Sequence, residues 1–97
     1  MKNLDQLKKI LHKHKNTLMM EYGIDTLGLF GSYVIGEQKE NSDLDILVEF
    51  RKATDLLTFV HLKNYLSDLL DLKVDLVMKK SLKPTIGKKI LQQVLYI

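Results

Sequence analysis

The stretch from Leu44 to Phe50 has an apolar side chain at every second position, with Asp45, Leu47 and Glu49 between them. Successive side chains of a strand point to opposite faces of a sheet, so this period of two predicts a strand with one apolar face. A fold for this chain must therefore contain a sheet, and other segments have to supply the neighbouring strands.

Two short apolar segments are suited to that role: Thr26–Phe30 precedes the alternating stretch and Val74–Val77 comes after it. Three other segments repeat their apolar side chains at the spacing of a helix. They are residues 3–22, which Gly23 ends, residues 54–70, and the segment that begins at Pro84.

The order helix, strand, turn, strand, helix, strand, helix predicts an α/β (α+β) fold, in which helices cover a small mixed sheet of three to four strands. The fourth strand depends on the apolar residues 94–97, which would form a last short strand, cover the core or contact a partner. A chain of 97 residues is too short for two hydrophobic cores, and no linker divides it. We therefore expect a single domain over residues 1–97.

The composition excludes several classes of protein. With no cysteine, the chain has no disulfide scaffold, no zinc site built on thiolates and no cysteine nucleophile. No apolar run approaches the roughly 18 residues that a membrane span needs. The first residues, Met1 to Asp5, lack the apolar core of a signal peptide. We therefore expect a cytoplasmic protein that does not enter a membrane.

The net charge of +3 is unevenly distributed along the chain. From Lys79 onward there are five lysines and no acidic residue. Such a tail beside an acidic cluster suits an anionic ligand held through metal ions, and a solvated helix face explains it equally well. Arg51 is the one arginine. Because arginine usually reads bases and phosphates, its scarcity argues against direct nucleic-acid binding.

Gly31 and Ser32 come directly after the strand that is predicted to end at Phe30. A glycine lets the backbone approach a ligand closely, and its amide can point at a phosphate. Ser32 adds a hydroxyl and is expected to begin a short helix, whose N-terminus favours negative charge. Ordinary helix capping explains this pair as well. Tyr33, the next residue, would either stack on a base or pack within the turn.

Asp43 and Asp45 are two residues apart at the start of the Leu44–Phe50 strand, so both carboxylates project to one face. They repel each other unless a cation lies between them. Asp75 interrupts the apolar run Val74–Val77, where a charge is costly unless it is paired or binds a metal. If the two strands are neighbours, three carboxylates converge. A ligand set of oxygens alone selects Mg²⁺ or Mn²⁺ over zinc.

Each aspartate also has a purely structural explanation. Residues 41–43 form a turn sequence, and Asp75 could pair with Lys73 or another lysine. None of the three histidines has the spacing of a metal-binding pair. We expect His14 to be packed or to lie at an interface, and His61 to be solvated.

The segment Leu29-Phe30-Gly31-Ser32-Tyr33, followed by Asp43-Leu44-Asp45 and the strand to Phe50, resembles the nucleotidyltransferase superfamily related to DNA polymerase beta. More closely, it is similar to the minimal nucleotidyltransferase (MNT) group, whose members have about this length. The resemblance covers nearly the whole chain and implies the polymerase beta-like nucleotidyltransferase fold. It also implies two sets of site residues. The nucleotide-binding set is Gly31, Ser32 and Tyr33, and the catalytic, metal-holding set is Asp43, Asp45 and Asp75.

Many MNT proteins are antitoxins encoded with HEPN ribonuclease toxins, and members of the group silence the toxin by transferring AMP from ATP to a toxin tyrosine. The resemblance therefore implies a nucleotidyl transfer that depends on Mg²⁺ (or Mn²⁺), in which a hydroxyl attacks the α-phosphorus of ATP and pyrophosphate leaves. It implies a HEPN toxin as the partner, and an assembly that is either a hetero-oligomer or a homodimer. The chain has little room for acceptor recognition, so the acceptor should bring its own binding surface.

One position departs from the pattern of the group. Relatives often carry Ala-Arg-Gly after Gly-Ser-x, whereas this chain has Val34-Ile35-Gly36, so that Ile35 replaces a cation near the phosphates. A lysine elsewhere, such as Lys88, could compensate. The same departure favours an alternative function, in which the domain senses a nucleotide or blocks a toxin by contact without catalysis.

Overall fold

The structure is a computed structural model that describes residues 2–97. Within these residues the chain forms helices and strands in one continuous series. The helices are α1 (Leu4–Lys13), α2 (Lys15–Tyr22), α3 (Ser32–Ile35), α4 (Leu56–Leu70) and α5 (Pro84–Gln93), with a 3₁₀ turn at Lys79–Ser81. The strands are β1 (Ile24–Phe30), β2 (Leu44–Phe50), β3 (Val74–Met78) and β4 (Leu95–Tyr96).

The first helical segment is two helices, where the sequence pattern predicts one over residues 3–22. The break is at His14, whose φ of −102° and ψ of 8° leave the helical region. Its ring nitrogen Nδ1 donates to the Ile10 carbonyl oxygen at 3.0 Å, so the side chain competes for a carbonyl of the preceding turn. His14 is half-buried, as expected for a packed histidine. Gly23 then ends α2 in the left-handed conformation, at φ 67°.

The sheet has four strands in the order β3-β2-β1-β4. Strand β1 is antiparallel to both β2 and β4, whereas β2 and β3 are parallel. The expectation of a small mixed sheet is confirmed, and the apolar residues near the C-terminal end supply its fourth strand. Helix α4 makes the crossover between the parallel strands, and the Asp55 side chain caps its start by accepting from the Thr58 amide at 2.7 Å.

The core lies between the sheet and helices α1, α2 and α4. Its fully buried members include Leu7 and Leu11 of α1 and Leu66 of α4. Strand β2 is central, and both Ile46 and Leu47 are at most 1% exposed although they point to opposite faces. The interior position of β2 explains why its alternation is imperfect at Leu47.

None of the helices formed by residues 2–97 is both long enough and apolar enough to cross a membrane.

Candidate active site

Asp45 and Asp75 are direct neighbours on adjacent strands. Asp45 in β2 is paired with Asp75 in the parallel strand β3, so both side chains leave the sheet on the same face. Asp45 is half-buried, whereas Asp75 is exposed. The exposure of Asp75 corrects one sequence-based expectation, because this carboxylate bears no cost of burial within an apolar run. The proximity of the two acids, which depended on the two strands being neighbours, is confirmed.

The electrostatic state of Asp45 reflects this arrangement. Burial raises the pKa of the Asp45 carboxyl to about 6 from its ordinary value of 3.8. The charge of Asp75, hydrogen bonding with the Asp75 side chain and the charge of Asp43 also raise this pKa. Each cause disfavours the ionised form, so Asp45 lies where a nearby positive charge would be strongly stabilising.

Asp43 is next to this pair but outside the strand, because β2 begins at Leu44. It is half-buried, acts on Asp45 through its charge, and lines an open groove of about 750 Å³ together with Tyr33 and Lys73. In the part of the chain that the structure describes, no three His, Asp or Glu side chains are gathered closely enough to hold a metal ion by themselves. The expected trio is therefore a close pair, Asp45 and Asp75, with Asp43 acting on it from the end of the strand.

The turn after β1 packs against the same carboxyl group. Gly31 has φ 82° and ψ −154°, a conformation that is essentially restricted to glycine. A Cβ atom at this position would overlap Oδ2 of Asp45, so only glycine lets the backbone come this close. From the sequence we expected the close approach to be toward a ligand, and the structure shows that the group it approaches is Asp45.

The amide of Gly31 has a partner that sequence reasoning missed. Its N–H donates to the side-chain oxygen Oε1 of Gln93, with the nitrogen 2.6 Å from that oxygen. The two residues are 62 positions apart, and Gln93 is the last residue of α5. No local pattern signals such a contact. It could be found only by knowing that β4 returns the chain to β1.

The remaining predicted residues lie on α3, which begins at Ser32 as expected. Ser32 is half-buried, and no hydrogen bond within residues 2–97 engages its hydroxyl. Tyr33 is 4% exposed and belongs to the core, which agrees with a packed aromatic and leaves little of its ring for a base. Ile35 is 52% exposed, so the position where the resemblance leads us to expect an arginine faces solvent here.

The ion pairs and contacts of the fold bear on two sequence-based expectations, an ion pair between Asp75 and Lys73 and a solvated His61. Among residues 2–97 the one ion pair joins Lys79 to Glu49, with Nζ 3.7 Å from Oε1, so Asp75 does not pair with Lys73. His61 is exposed, as expected, with its ring centroid 5.7 Å from that of Tyr22 in an edge-to-face contact.

Comparison with known proteins connects this geometry to a family. The family model described as "Polymerase beta, Nucleotidyltransferase" matches residues 5–97, which include the Gly31 turn and all three aspartates. The chain belongs to the polymerase beta nucleotidyltransferase family. The fold and the family implied by the sequence motifs are therefore both confirmed, and the chain is a member of a family of nucleotidyl-transferring enzymes.

Individual relatives are similar to the chain over most or all of its length. The protein adenylyltransferase MntA of Thermococcus cleftensis is 50% identical over 97 residues, which is all of this chain and 98% of that protein. The solved structure of a candidate minimal nucleotidyltransferase is 32% identical, with a TM-score of 0.75 over 92% of this chain and 93% of that one. A toxin–antitoxin structure with AMP-PNP is 29% identical, with a TM-score of 0.71 over 87% of this chain and 69% of that one.

Proposed function

We propose that this chain is a protein adenylyltransferase that transfers AMP from ATP to a tyrosine hydroxyl of a partner HEPN toxin in the cytoplasm, and so acts as the antitoxin. The observation that carries the proposal is the position of Asp45, which faces Asp75 on the next strand and lies against the glycine turn of Gly31. Neighbouring carboxylates of this kind suit the metal ions that clamp the attacking and leaving oxygens in nucleotidyl transfer.

The nucleotide and partner parts of the proposal are supported by the relatives. The protein of T. cleftensis, half of whose residues are the same, is named as an adenylyltransferase, and a structural relative was solved as a toxin–antitoxin complex with AMP-PNP, a non-hydrolysable analogue of ATP. Both similarities extend over most of the chain, which supports carrying the adenylyltransferase activity and the toxin partner over to it as parts of the proposal. The hetero-oligomer with a toxin is accordingly the assembly that we propose.

Mg²⁺ fits the donor set of this site. Asp45 and Asp75 offer only oxygens. Burial together with the neighbouring charges holds the pKa of Asp45 at about 6, and a cation would offset this penalty on the ionised carboxylate. Magnesium is commonly held by one or two carboxylates together with substrate phosphates and water, so a third protein ligand in direct contact is not required. Asp43 would then strengthen the site through its charge. When bound, the ion supplies charge neutralisation and Lewis-acid polarisation of the phosphate.

The remaining steps belong to the residues of the chain and the partner. Ser32, whose hydroxyl is free of protein partners within residues 2–97, would donate to the triphosphate, and Asp43, Asp45 and Asp75 would favour the bound Mg²⁺ that offsets the charge of the triphosphate. The acceptor oxygen forms a bond to the α-phosphorus while the bond from that phosphorus to pyrophosphate breaks. The hydroxyl proton is released during the attack. A carboxylate oxygen of the site that does not bind the ion is the base that could accept it.

The direct test uses the protein, ATP labelled at the α-phosphate, Mg²⁺ and the protein encoded by the adjacent gene. Label should appear on a tyrosine of the partner, pyrophosphate should be released, and Asp45→Asn should abolish both. Asp68→Asn is the matched control, since Asp68 is exposed on α4. Absence of label on either protein would contradict the proposal.

Two observations favour a second candidate function, a binding module that senses a nucleotide or blocks a toxin by contact. Ile35 stands where relatives often carry an arginine, and among residues 2–97 the three aspartates do not by themselves form a metal cluster. The two functions differ in turnover. Mg²⁺ and ATP should stabilise the protein in either case, and release of pyrophosphate in the presence of the partner occurs only if it is an enzyme.

A further inference from the structure

We propose that Gln93 is a positioning residue, whose side-chain oxygen holds the Gly31 peptide against the carboxyl group of Asp45. Its catalytic consequence rests on the proposed function, whereas the contact itself can be tested without nucleotide. The role is assigned to Gln93 because this one side chain connects the last turn of α5 to the turn between β1 and α3.

The hydrogen bond is short and sheltered. The Gly31 nitrogen lies 2.6 Å from Gln93 Oε1, compared with the roughly 2.9–3.0 Å that is most common for such bonds, and the pair is partly buried. A buried amide N–H without an acceptor costs free energy. Removing the Gln93 oxygen should therefore let the Gly31 peptide shift toward another hydrogen-bond acceptor.

The conformation of Gly31 needs support on both sides. Its backbone lies in a sparsely populated region, which persists only where surrounding contacts impose it. The Gly31 carbonyl accepts from the amides of Val34 and Ile35, at 3.0 and 3.2 Å, and these bonds tie the turn to α3. Gln93 provides the opposite restraint through the N–H. With both ends held, the turn stays against Asp45.

Gln93 is itself held in place by the four residues after it in the chain. Val94 packs directly over Gly28, where any Cβ would collide with the valine methyl Cγ2, and β4 then pairs Leu95 with Leu29. Ile97 adds a bond from its amide to the Leu27 carbonyl at 2.8 Å. The base of the Gln93 side chain is thus anchored on β1, a few residues before the turn that it supports.

This arrangement gives the two residues of the Gly-Ser pair different roles. The Gly31 amide is engaged by Gln93, so its role in this proposal is to hold the turn against Asp45 rather than to donate to a phosphate. The hydroxyl of Ser32 remains as the group for the triphosphate. Loss of Gln93 should therefore disturb the alignment of Asp45 more than the affinity for ATP.

The test compares Gln93→Met, which is close in size but has no side-chain oxygen, with Gln92→Met as the matched control. Gln92 is exposed on the same helix. Amide hydrogen exchange of the nucleotide-free protein is followed by ¹H–¹⁵N NMR, in which the five glycines of the chain form a small and separable set. In Gln93→Met the exchange of the Gly31 amide should become about tenfold faster, the equivalent of one hydrogen bond. Gly36 and Gly23 should be unchanged. Gln93→Asn, which keeps the amide group on a shorter side chain, is the second variant and should show the same loss.

The kinetic readout separates positioning from binding. In Gln93→Met we expect kcat for AMP transfer to fall by about ten- to a hundredfold, as for a reacting group that is misplaced by a fraction of an ångström to about 1 Å. KM for ATP should stay within about threefold of the wild type.

Either of two results would overturn the proposal: fast exchange of Gly31 in the wild type, or a rise in KM with kcat unchanged in the variant. A wild-type protein with no transferase activity contradicts the proposed function alone, because the exchange of Gly31 still decides whether Gln93 holds the turn.

Discussion

Asp45 and Asp75 stand opposite each other across the parallel strands β2 and β3, and the charge of Asp75 adds to burial in raising the pKa of Asp45. The site is therefore rich in negative charge that the fold does not neutralise. A proton or a metal ion can relieve this repulsion, and the two compete for the same carboxyl group.

The stability of the metal-free protein should depend on the ionisation of Asp45. Its pKa in the folded state, about 6, is above the ordinary 3.8, so the folded state holds a proton that the unfolded chain releases more readily. This contribution to stability is fully present at low pH and is lost as the pH rises through the folded-state pKa. The pKa of Asp55 is lowered by its hydrogen bonds to Thr58, and its contribution is instead lost below its ordinary value, outside this range.

We therefore expect the urea midpoint in EDTA to fall between about pH 5 and about pH 7.5, and Asp45→Asn to make this part of the profile flatter. Asp68→Asn should keep the wild-type slope. A wild-type profile that is parallel to that of Asp45→Asn would show that Asp45 ionises with its ordinary pKa in the folded protein.

Magnesium should stabilise the protein more at about pH 7.5 than at about pH 5, because protons and Mg²⁺ compete for Asp45. Differential scanning fluorimetry with Mg²⁺ and a non-hydrolysable ATP analogue should show a rise in Tm that chelation by EDTA reverses. Asp45→Asn and Asp75→Asn should each remove most of that rise. An equal response in Asp75→Asn and in wild type would place the ion away from the strand pair.

Replacing Gly31 by alanine should damage both stability and activity. The new Cβ would overlap Asp45 Oδ2, and φ is positive, so we expect a loss of about 2–4 kcal/mol from crowding and backbone strain together. Gly36→Ala is the matched control, because Gly36 has a φ of +78° and a Cβ added there would have no atom within 4 Å. It should cost about 1 kcal/mol and leave activity near wild type. Chemical denaturation and AMP transfer are measured on both variants. Backbone strain is common to the two, so a loss of activity in Gly31→Ala alone reports the displacement of Asp45.

We predict that Lys89 compensates for the cation that Ile35 replaces. Lys89 precedes Gln93 by four residues on α5, so it shares the helix face that meets the Gly31 turn, whereas Lys88 projects from a different side. Lys89→Met should raise KM for ATP by about three- to tenfold, the value of one charge-assisted contact, with Lys88→Met close to wild type. Equal effects of the two substitutions would indicate a diffuse contribution of the lysine-rich tail.

The packing of the C-terminal segment that contains β4 against β1 depends on Gly28. A Cβ here would collide with Val94, so Gly28→Ala should destabilise the protein by about 1–3 kcal/mol through overpacking. The double variant Gly28→Ala/Val94→Ala should recover part of this loss, because it removes the methyl groups that collide. Urea denaturation of the two single variants and the double variant measures the coupling. Strict additivity would show that the alanine acts elsewhere.

The elements with a clear period were predictable from the sequence. Strand β2 has the bounds that its alternation indicates, and Pro84 begins α5 as expected at a first helical turn. Helix α4 begins at Leu56 instead of 54, because Asp55 takes the capping position before it. The break at His14 was not predictable, since the apolar spacing continues through it and neither a glycine nor a proline marks the position.

For the site, the pairing of Asp45 with Asp75 was predicted from the patterns of two strands, together with the assumption that these strands are neighbours in the sheet. The contact between Gly31 and Gln93 could not be inferred. A glutamine at the end of an amphipathic helix carries no sign of its partner, and the register of a two-residue strand decides where its side chain lies.

The hydrogen bond between Gly31 and Gln93 spans 62 positions and so has a consequence for the order of assembly. The acidic pair needs only β2, α4 and β3, which are consecutive in the chain. The turn against Asp45 is restrained only after α5 has folded and β4 has returned to β1. The pairing of the carboxylates therefore involves only a central part of the chain, whereas their alignment against Gly31 is complete only when β4 has closed the sheet.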